Sequence, residues 1–241
     1  MKNASIIAIK KPLLIKLIIL FATGFKMPVR KIPKSYRSVT GIVSDSVSDM
    51  GYSFESTLER DFFLLLKFDK SVQSFEEQPL QINWTDKAGK PRRYTPDARA
   101  DYVDNRPPTI FEVKYRSDLK KNWNDLKPKF KAAIIHCRSH GMHFKIITEQ
   151  EIRTPLLKNV RFLTHYQNLL LNQHLTEYHN RIINLIEQLS QTTPSNLLHK
   201  LTKDEWEQAA IMPVLWYLIA NGEIEANLTE PLGMESEIRS A

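Results

Sequence analysis

Three charged side chains in the middle of the chain have the types and spacing of a divalent-cation site. Asp97 lies in the segment RRYTPDARADYV, and Glu112 and Lys114 stand two apart in the later segment TIFEVKYR. Because side chains alternate between the two faces of a strand, Glu112 and Lys114 point the same way. Two acids and a lysine that meet at the end of a small sheet form either a salt bridge or a metal site. These residues alone leave both readings open.

Hydrolysis of a phosphodiester is the reaction that such a metal site would serve. The reaction requires stabilisation of charge on the scissile phosphate and activation of a water, and Mg²⁺ supplies both. Mg²⁺ prefers a few carboxylates together with waters, so Asp97, Glu112 and the main-chain carbonyl of Val113 are suitable ligands. Lys114, on the same strand face, could orient the attacking water and offset negative charge in the transition state.

A carboxylate from the preceding helix would complete the site. Glu59 is the first candidate and Glu55 the second, and since they are four residues apart they share one helix face. Glu59 has a competing role, because Ser56 and Glu59 also have the form of a capping box. A helix that begins at Ser53 would instead place Glu59 in its second turn, free to bind metal. We favour the ligand role.

The elements around these residues predict an α/β (α+β) unit over residues 51–165. Apolar residues at helical spacing predict a helix before the strands, and Pro128 is expected to interrupt the long helix after them, which stops at Gly141. Thr148 and Glu151 form a capping box that starts a short helix. The expected strands are PLQINWTD, RRYTPDARADYV, TIFEVKYR and HFKIIT. The first three would form an antiparallel meander and the fourth would follow a helical crossover, giving a mixed sheet flanked by helices.

Residues 166–241 read as a mainly helical, winged-helix-like C-terminal domain. One helix is amphipathic, a second begins at the Thr-Pro pair of TTPSNLLHKL, and a third is expected to open with a capping box from Thr202 to Glu205. The third helix closes on Asn221-Gly222, and EIEANLTEPLG follows as a short extended wing. Three helices and a wing are typical of a winged helix.

Residues 1–50 form a basic leader. The first 26 are basic and apolar like a signal peptide, but their longest uncharged run, LIILFATGF, is too short to span a bilayer. We favour a mis-called start, with the true start at Met27, or a disordered extension over export or a membrane anchor. The single cysteine predicts no internal disulfide and fits a reducing cytoplasm.

The net charge of +7 favours an anionic partner, with nucleic acid ahead of membrane. No glycine-rich phosphate loop is present. Basic residues around the candidate site could follow DNA phosphates, although a run of charge is often only a solvated surface. The candidate DNA-binding residues are Arg92, Arg93, Arg99, Arg116, Lys120 and Lys121.

The same segments resemble a known family. Pro96-Asp97 followed by Glu112-Val113-Lys114 is similar to the PD-(D/E)xK signature of restriction-type nucleases. The longer text FESTLERDFFLLLKFDKSVQSFEEQPLQINW, followed by RRYTPDARADY and FEVKYR, resembles the TnsA family. That family provides the endonuclease subunit of heteromeric cut-and-paste transposases. The resemblance covers about residues 50–165 and extends more loosely to residue 241.

The resemblance implies a restriction-endonuclease-like nuclease domain over residues 51–165, with Glu59, Asp97, Glu112 and Lys114 as its catalytic residues. It implies Mg²⁺, in two sites and replaceable by Mn²⁺, as the cofactor. It implies cleavage of the 5′ strand at transposon ends, beside a DDE-type (TnsB-like) transposase and an AAA+ ATPase regulator (TnsC-like). Some members carry Gln at the position of Glu112, which would make that ligand less demanding.

Two other functions stay open on the same fold. One is a stand-alone restriction-type DNA endonuclease that cuts without a partner. The other is a catalytically silent DNA-binding or adaptor subunit, which the intact Asp97, Glu112 and Lys114 argue against. Gln78, in EEQP, also matches the family and has no role that the sequence reveals.

Overall fold

The computed structural model describes residues 56–241 and the backbone of residues 41–44 and 51–54. The expectations about the first 26 residues and Met27, and the candidate ligand Glu55, lie outside these described residues. Within them, no helix is long and apolar enough to cross a membrane.

The first described helix, α1, runs from Thr57 to Phe68 and follows a hairpin of β1 (Gly41–Ser44) and β2 (Gly51–Phe54). The alternative start at Ser53 is excluded, because Ser53 lies in β2. The helix begins at Ser56 instead, whose hydroxyl oxygen accepts a hydrogen bond from the Glu59 N–H at 3.2 Å and so satisfies one of the free donors of the first turn. The apolar face is buried as its spacing predicts.

A four-stranded mixed sheet lies at the centre, in the order β3-β6-β7-β8. The antiparallel pairs are β3–β6 and β6–β7, and β7 is parallel to β8. The predicted mixed sheet is therefore confirmed. The strands are β3 (Val72–Glu77), β6 (Ala98–Tyr102), β7 (Thr109–Val113) and β8 (His143–Ile147).

The expected three-stranded meander forms, but its first strand is not the predicted one. Residues 82–85 form β4 (Ile82–Thr85), which pairs with β5 (Pro91–Tyr94) in a separate hairpin. Its predicted place beside β6 belongs to β3, whose sequence VQSFEE has no apolar alternation to reveal it. The segment RRYTPDARADYV is two strands, because Pro96 has no N–H to continue the hydrogen-bonded ladder.

Helices cover both faces of the sheet. On one face, α1 packs against Phe111, Ala98 and Ala100, and the Phe62 and Phe111 rings lie 5.0 Å apart between centroids. On the other face, α2 (Arg116–Lys121) and α3 (Trp123–Ser139) form the crossover to β8.

The predicted interruption of the crossover at Pro128 is wrong. The break falls at Asn122, between α2 and α3, and Pro128 lies inside α3. Proline there removes the bond to the carbonyl of Asn124, which is exposed and therefore open to water.

The capping box at Thr148 is confirmed. It opens α4 (Glu149–Ile152), where the Thr148 N–H and hydroxyl both donate to the Glu151 carboxylate, at 2.9 and 2.5 Å. Helix α5 (Pro155–Thr164) follows. These bonds fix the direction in which the chain leaves β8, the strand that pairs with β7.

Replacing this cap should destabilise the protein measurably. We expect Thr148→Ala to lower the free energy of unfolding by about 1 kcal/mol, because the first turn of α4 loses the hydroxyl that accepts from the Gln150 N–H and donates to Glu151. Urea denaturation would measure the change. Thr148→Ser, which keeps the hydroxyl, should stay close to wild type, and equal losses in both variants would contradict the capping role.

The C-terminal region packs three helices on a small sheet. The helices are α6 (Gln173–Leu189), α7 (Pro194–Leu201) and α8 (Glu205–Asn221), and the strands are β9 (Gln191–Thr192), β10 (Ile224–Ala226) and β11 (Ile238–Ser240). The strand order is β10-β11-β9. A separate buried apolar cluster, which includes Ile182, Leu197 and Leu215, holds these elements together. The winged-helix assignment stays a prediction.

Two predictions about helix ends in this region have opposite outcomes. The capping box from Thr202 to Glu205 is wrong, because Asp204 caps α8 by accepting from the Trp206 N–H at 2.9 Å, while Thr202 follows the end of α7. The predicted end of α8 is confirmed: Gly222 adopts a left-handed conformation with φ of 65°, which glycine reaches without a steric penalty.

Candidate active site

Asp97 lies in the loop that leads into β6 and is tied to both neighbouring strands. Its N–H donates to the Phe111 carbonyl and its carbonyl accepts from the Gln78 N–H, each at 3.0 Å. Its carboxylate Oδ2 accepts from the Val113 N–H at 2.7 Å. The side chain is thus held at the end of β7, and it retains partial exposure.

Glu112 is buried on the face of β7 that α3 covers, with 1% of its surface exposed. The Tyr94 hydroxyl donates to its Oε2 at 2.6 Å and the Lys129 ammonium to its Oε1 at 2.9 Å. Lys114 Nζ lies 3.5 Å from the same Oε1. This contact confirms that Glu112 and Lys114 point the same way. It is also the salt bridge that the sequence offered as the alternative to a metal site.

Glu59 reaches the same site from α1. It is 8% exposed, and the Ser56 hydroxyl donates to its Oε1 at 3.1 Å. Its charge acts on both Asp97 and Lys114. The carboxylate therefore contacts the N-cap residue while lying close enough to the other groups to influence their protonation.

The electrostatics of Asp97 distinguish the site from an ordinary surface ion pair. Burial, the charge of Glu112 and the charge of Glu59 together raise the pKa of Asp97 to about 8, although Lys114 and the Val113 N–H oppose the change. Asp97 is thus a carboxylate that the protein alone does not stabilise in its charged form. A bound cation would supply the missing compensation.

Lys114 responds in the opposite way. Burial lowers the pKa of its ammonium, but the carboxylates of Asp97, Glu112 and Glu59 raise it by more, so the pKa lies above its ordinary value. Lys114 is therefore a permanent cation and hydrogen-bond donor at neutral pH.

The carboxylates of the site do not form a complete set of Mg²⁺ ligands by themselves. Across the described residues, no group of three or more His, Cys, Asp or Glu side chains is placed to hold a metal ion. The oxygens of Glu112 already accept from Tyr94 and Lys129. Mg²⁺ commonly binds through one or two carboxylates and several waters. Asp97, with Glu112 and the Val113 carbonyl, matches that mode, and Glu59 is placed to act on it electrostatically.

Two side chains of this site were missed by the sequence reasoning. Lys129 comes from α3, with Nζ 4.6 Å from the centroid of the Tyr94 ring. Tyr94 is buried at the end of β5, and burial and the charge of Glu112 raise the pKa of its hydroxyl, which keeps it a donor. No local pattern marks either residue, because both reach Glu112 only through the packing of α3 and the β4–β5 hairpin on the sheet.

Gln78 has a structural place beside Asp97. It directly follows β3 with a φ of 43°, a conformation that few residues other than glycine adopt, and its N–H donates to the Asp97 carbonyl. Its side-chain Oε1 is buried without a hydrogen-bond partner in the part of the chain that the structure describes. Gln78, which the sequence matched to the family without a role, is therefore a strained residue that helps to position Asp97.

The candidate DNA-binding residues divide into three groups. Arg92 and Arg93 lie on the exposed β5, beside a cleft of about 570 Å³ that Lys129 also lines. Arg99 is tied to Asp101 at 2.7 Å on β6. The third group is Arg116, Lys120 and Lys121, on α2 directly after Lys114. The first and third groups lie beside the site, and Arg92, like Arg99, is in an ion pair, with Asp86 at 2.9 Å.

Titration of Asp97 predicts how stability depends on pH. Between about pH 4 and pH 8 the folded protein keeps a proton on Asp97 that the unfolded chain releases. The free energy of unfolding of the metal-free protein should therefore fall as pH rises through this range. Urea denaturation at several pH values would measure it. Asp97→Asn should be flatter, and an identical slope in both proteins would contradict the raised pKa.

A mixed sheet flanked by helices, with an Asp and a Glu-x-Lys at the end of adjacent strands, defines a restriction-endonuclease-like fold. A model of the TnsA-like endonuclease N-terminal domain matches residues 69–149, and a model of the TnsA endonuclease C-terminal domain matches residues 151–228. The chain belongs to the TnsA family. Asp97, Glu112 and Lys114 lie within the matched ranges and Glu59 lies before them. No curated protein matches the sequence.

Proposed function

We propose that this protein is a Mg²⁺-dependent DNA endonuclease subunit of a transposase, which hydrolyses the 5′ strand at transposon ends. The observation that carries the proposal is the placement of Asp97, whose carboxylate is held at the end of β7 by the Val113 N–H, beside the contact between Glu112 and Lys114. Its neighbours Glu112 and Lys114 complete the signature of this reaction. The TnsA endonuclease domains support the same class of activity.

The residues would divide the work as follows. Asp97, Glu112 and the Val113 carbonyl would hold the cation, and Mn²⁺ could replace Mg²⁺. When bound, the cation, in one or two sites, stabilises charge on the scissile phosphate and makes a water more acidic. Glu59 lies where it could hold a second cation or a water.

Lys114 would position the attacking water. Because its ammonium stays charged at neutral pH, it donates hydrogen bonds to the oxygen of that water or to a phosphate oxygen. It would thereby fix the approach to phosphorus and offset the charge that develops there. The proton lost by water must go to another acceptor, such as a phosphate oxygen or bulk water.

Membership of the TnsA family also suggests which partners the protein has. We infer that the protein acts on DNA within a transposition complex, where a DDE-type, TnsB-like transposase cuts the 3′ strands and an AAA+, TnsC-like ATPase regulates both. The basic residues Arg92, Arg93, Arg116, Lys120 and Lys121 would hold DNA phosphates beside the site. The expected location is the cytoplasm.

Strand-resolved cleavage of transposon-end DNA would test the proposal. The purified protein is incubated with end-labelled DNA and Mg²⁺, with and without the neighbouring transposase, and with EDTA as the control. We expect 5′-strand cuts that need both Mg²⁺ and the partner. Cuts by this protein alone would favour the stand-alone nuclease, and the absence of 5′ cuts in every mixture would favour the silent adaptor.

A further inference from the structure

A basic recess of about 430 Å³ lies between the start of α1 and the α4–α5 junction. We call it the Asp61 recess. It contains none of the six basic residues that the sequence suggested for DNA binding. Its polar lining comprises Thr57, Arg60, Asp61, Arg153, Thr154, Lys158 and Arg161.

Asp61 lies buried at the bottom of the recess and holds its arginines in place. The residue is 1% exposed, and its carboxylate contacts three guanidinium groups. Arg161 lies at 2.5 Å, Arg60 at 3.1 Å and Arg153 at 3.5 Å. A buried carboxylate needs such partners, because burying a charge without compensation is costly. The three arginines are thereby fixed in direction and project from one buried anchor.

The recess carries more positive charge than Asp61 can balance. Three arginines and the exposed Lys158 face one carboxylate. The arginine side chains keep 42 to 46% of their surface exposed, so part of each guanidinium faces solvent. The single negative charge of Asp61 neutralises one of these four positive charges, which leaves an excess of three. The excess and the planar donor groups suit a phosphate.

The Asp61 recess is built from residues that are neighbours in sequence of the candidate active-site groups. Arg153 donates to the Tyr115 hydroxyl at 3.0 Å and to the Thr57 hydroxyl at 3.2 Å. Tyr115 directly follows Lys114, and Arg60 directly follows Glu59. The same two segments that carry candidate catalytic groups therefore also build the recess.

We propose that the Asp61 recess binds a non-scissile backbone phosphate of the DNA that this protein cuts. The inference rests on the proposed nuclease function, because the ligand is a phosphate of the same substrate. Binding there would fix the position of the strand along the site, and hence which phosphodiester bond lies beside Asp97. Such an interaction is independent of base sequence.

The test measures binding of a DNA duplex of about 30 base pairs, long enough to cover a typical protein–DNA interface, by fluorescence anisotropy over a range of salt concentrations. All proteins carry Asp97→Asn, so that the DNA stays intact. Lys158→Gln and Arg60→Gln remove recess charges one at a time. Lys200→Gln, an exposed lysine on α7, is the matched control. Thermal denaturation checks that each variant is folded, and Lys158 has the advantage of lying outside the ion pairs of Asp61.

We expect Lys158→Gln and Arg60→Gln each to weaken binding about threefold to tenfold. Each should also reduce the slope of log affinity against log salt by about 0.9 for every phosphate that the variant no longer neutralises. Lys200→Gln should leave both quantities unchanged. Recess variants that match Lys200→Gln, while the parent protein binds DNA, would overturn the recess alone. A parent that binds no DNA would overturn the recess as a DNA site, whereas 5′-strand cleavage with the partner transposase decides the proposed function.

Discussion

Replacement of Asp97 by Asn should abolish 5′-strand cleavage. We expect a loss of about a thousandfold or more, equivalent to roughly 4 kcal/mol of transition-state stabilisation, because the cation loses its most available carboxylate. Asn retains the shape and can still accept from the Val113 N–H. The folded geometry should therefore survive while the charge disappears. Strand-resolved cleavage with the partner transposase present would measure the loss, and 3′ nicks should remain.

Asp101→Asn is the matched control for this variant. Asp101 lies further along the same segment, on β6, and its carboxylate pairs with Arg99 at 2.7 Å, so the same atoms change outside the site. It should keep 5′ cleavage near wild type. If Asp97→Asn also cleaved normally, Asp97 and the Glu-x-Lys pair would be a structural group, and the silent adaptor would become the better hypothesis.

The sequence predicted the parts of the fold that have a local signal. Helix α1 has apolar residues at helical spacing, the Thr148 cap has a defined pair of residues, and Gly222 ends α8 as expected. Strand β3 had no such signal, because its one strongly apolar pair, Val72 and Phe75, is not in alternation. Its position beside β6 is decided by tertiary pairing, which local patterns do not contain.

The site shows the same division. Glu112 and Lys114 are two residues apart, so spacing alone predicted that they point the same way, and Asp97 directly precedes the strand that pairs with β7. Lys129 and Tyr94 lie 17 and 18 residues from Glu112 along the chain. They meet it because α3 and the β4–β5 hairpin pack on one face of the sheet. The pKa of Asp97 likewise depends on burial and on charges from separate elements, which no single segment specifies.

Lys129 allows a second test, in which metal binding and rate should change in opposite directions. Its ammonium contacts Glu112 and is one of two lysines, with Lys114, beside the Asp97 and Glu112 carboxylates. We expect Lys129→Met to lower the Mg²⁺ concentration for half-maximal cleavage by up to about tenfold, since removing a nearby positive charge favours a divalent cation. We expect the maximal rate to fall about ten- to a hundredfold, because Glu112 loses a group that orients it.

Cleavage measured across a Mg²⁺ titration would separate these two effects. Lys131→Met is the matched control, since Lys131 is exposed on the same helix two residues away and therefore points to a different side. It should change neither quantity. A rate that falls together with weaker Mg²⁺ binding would show that Lys129 supports the metal site only by holding its shape. The opposite movement of the two quantities would instead show that its charge competes with the cation in the resting site and assists the reaction once the cation is bound.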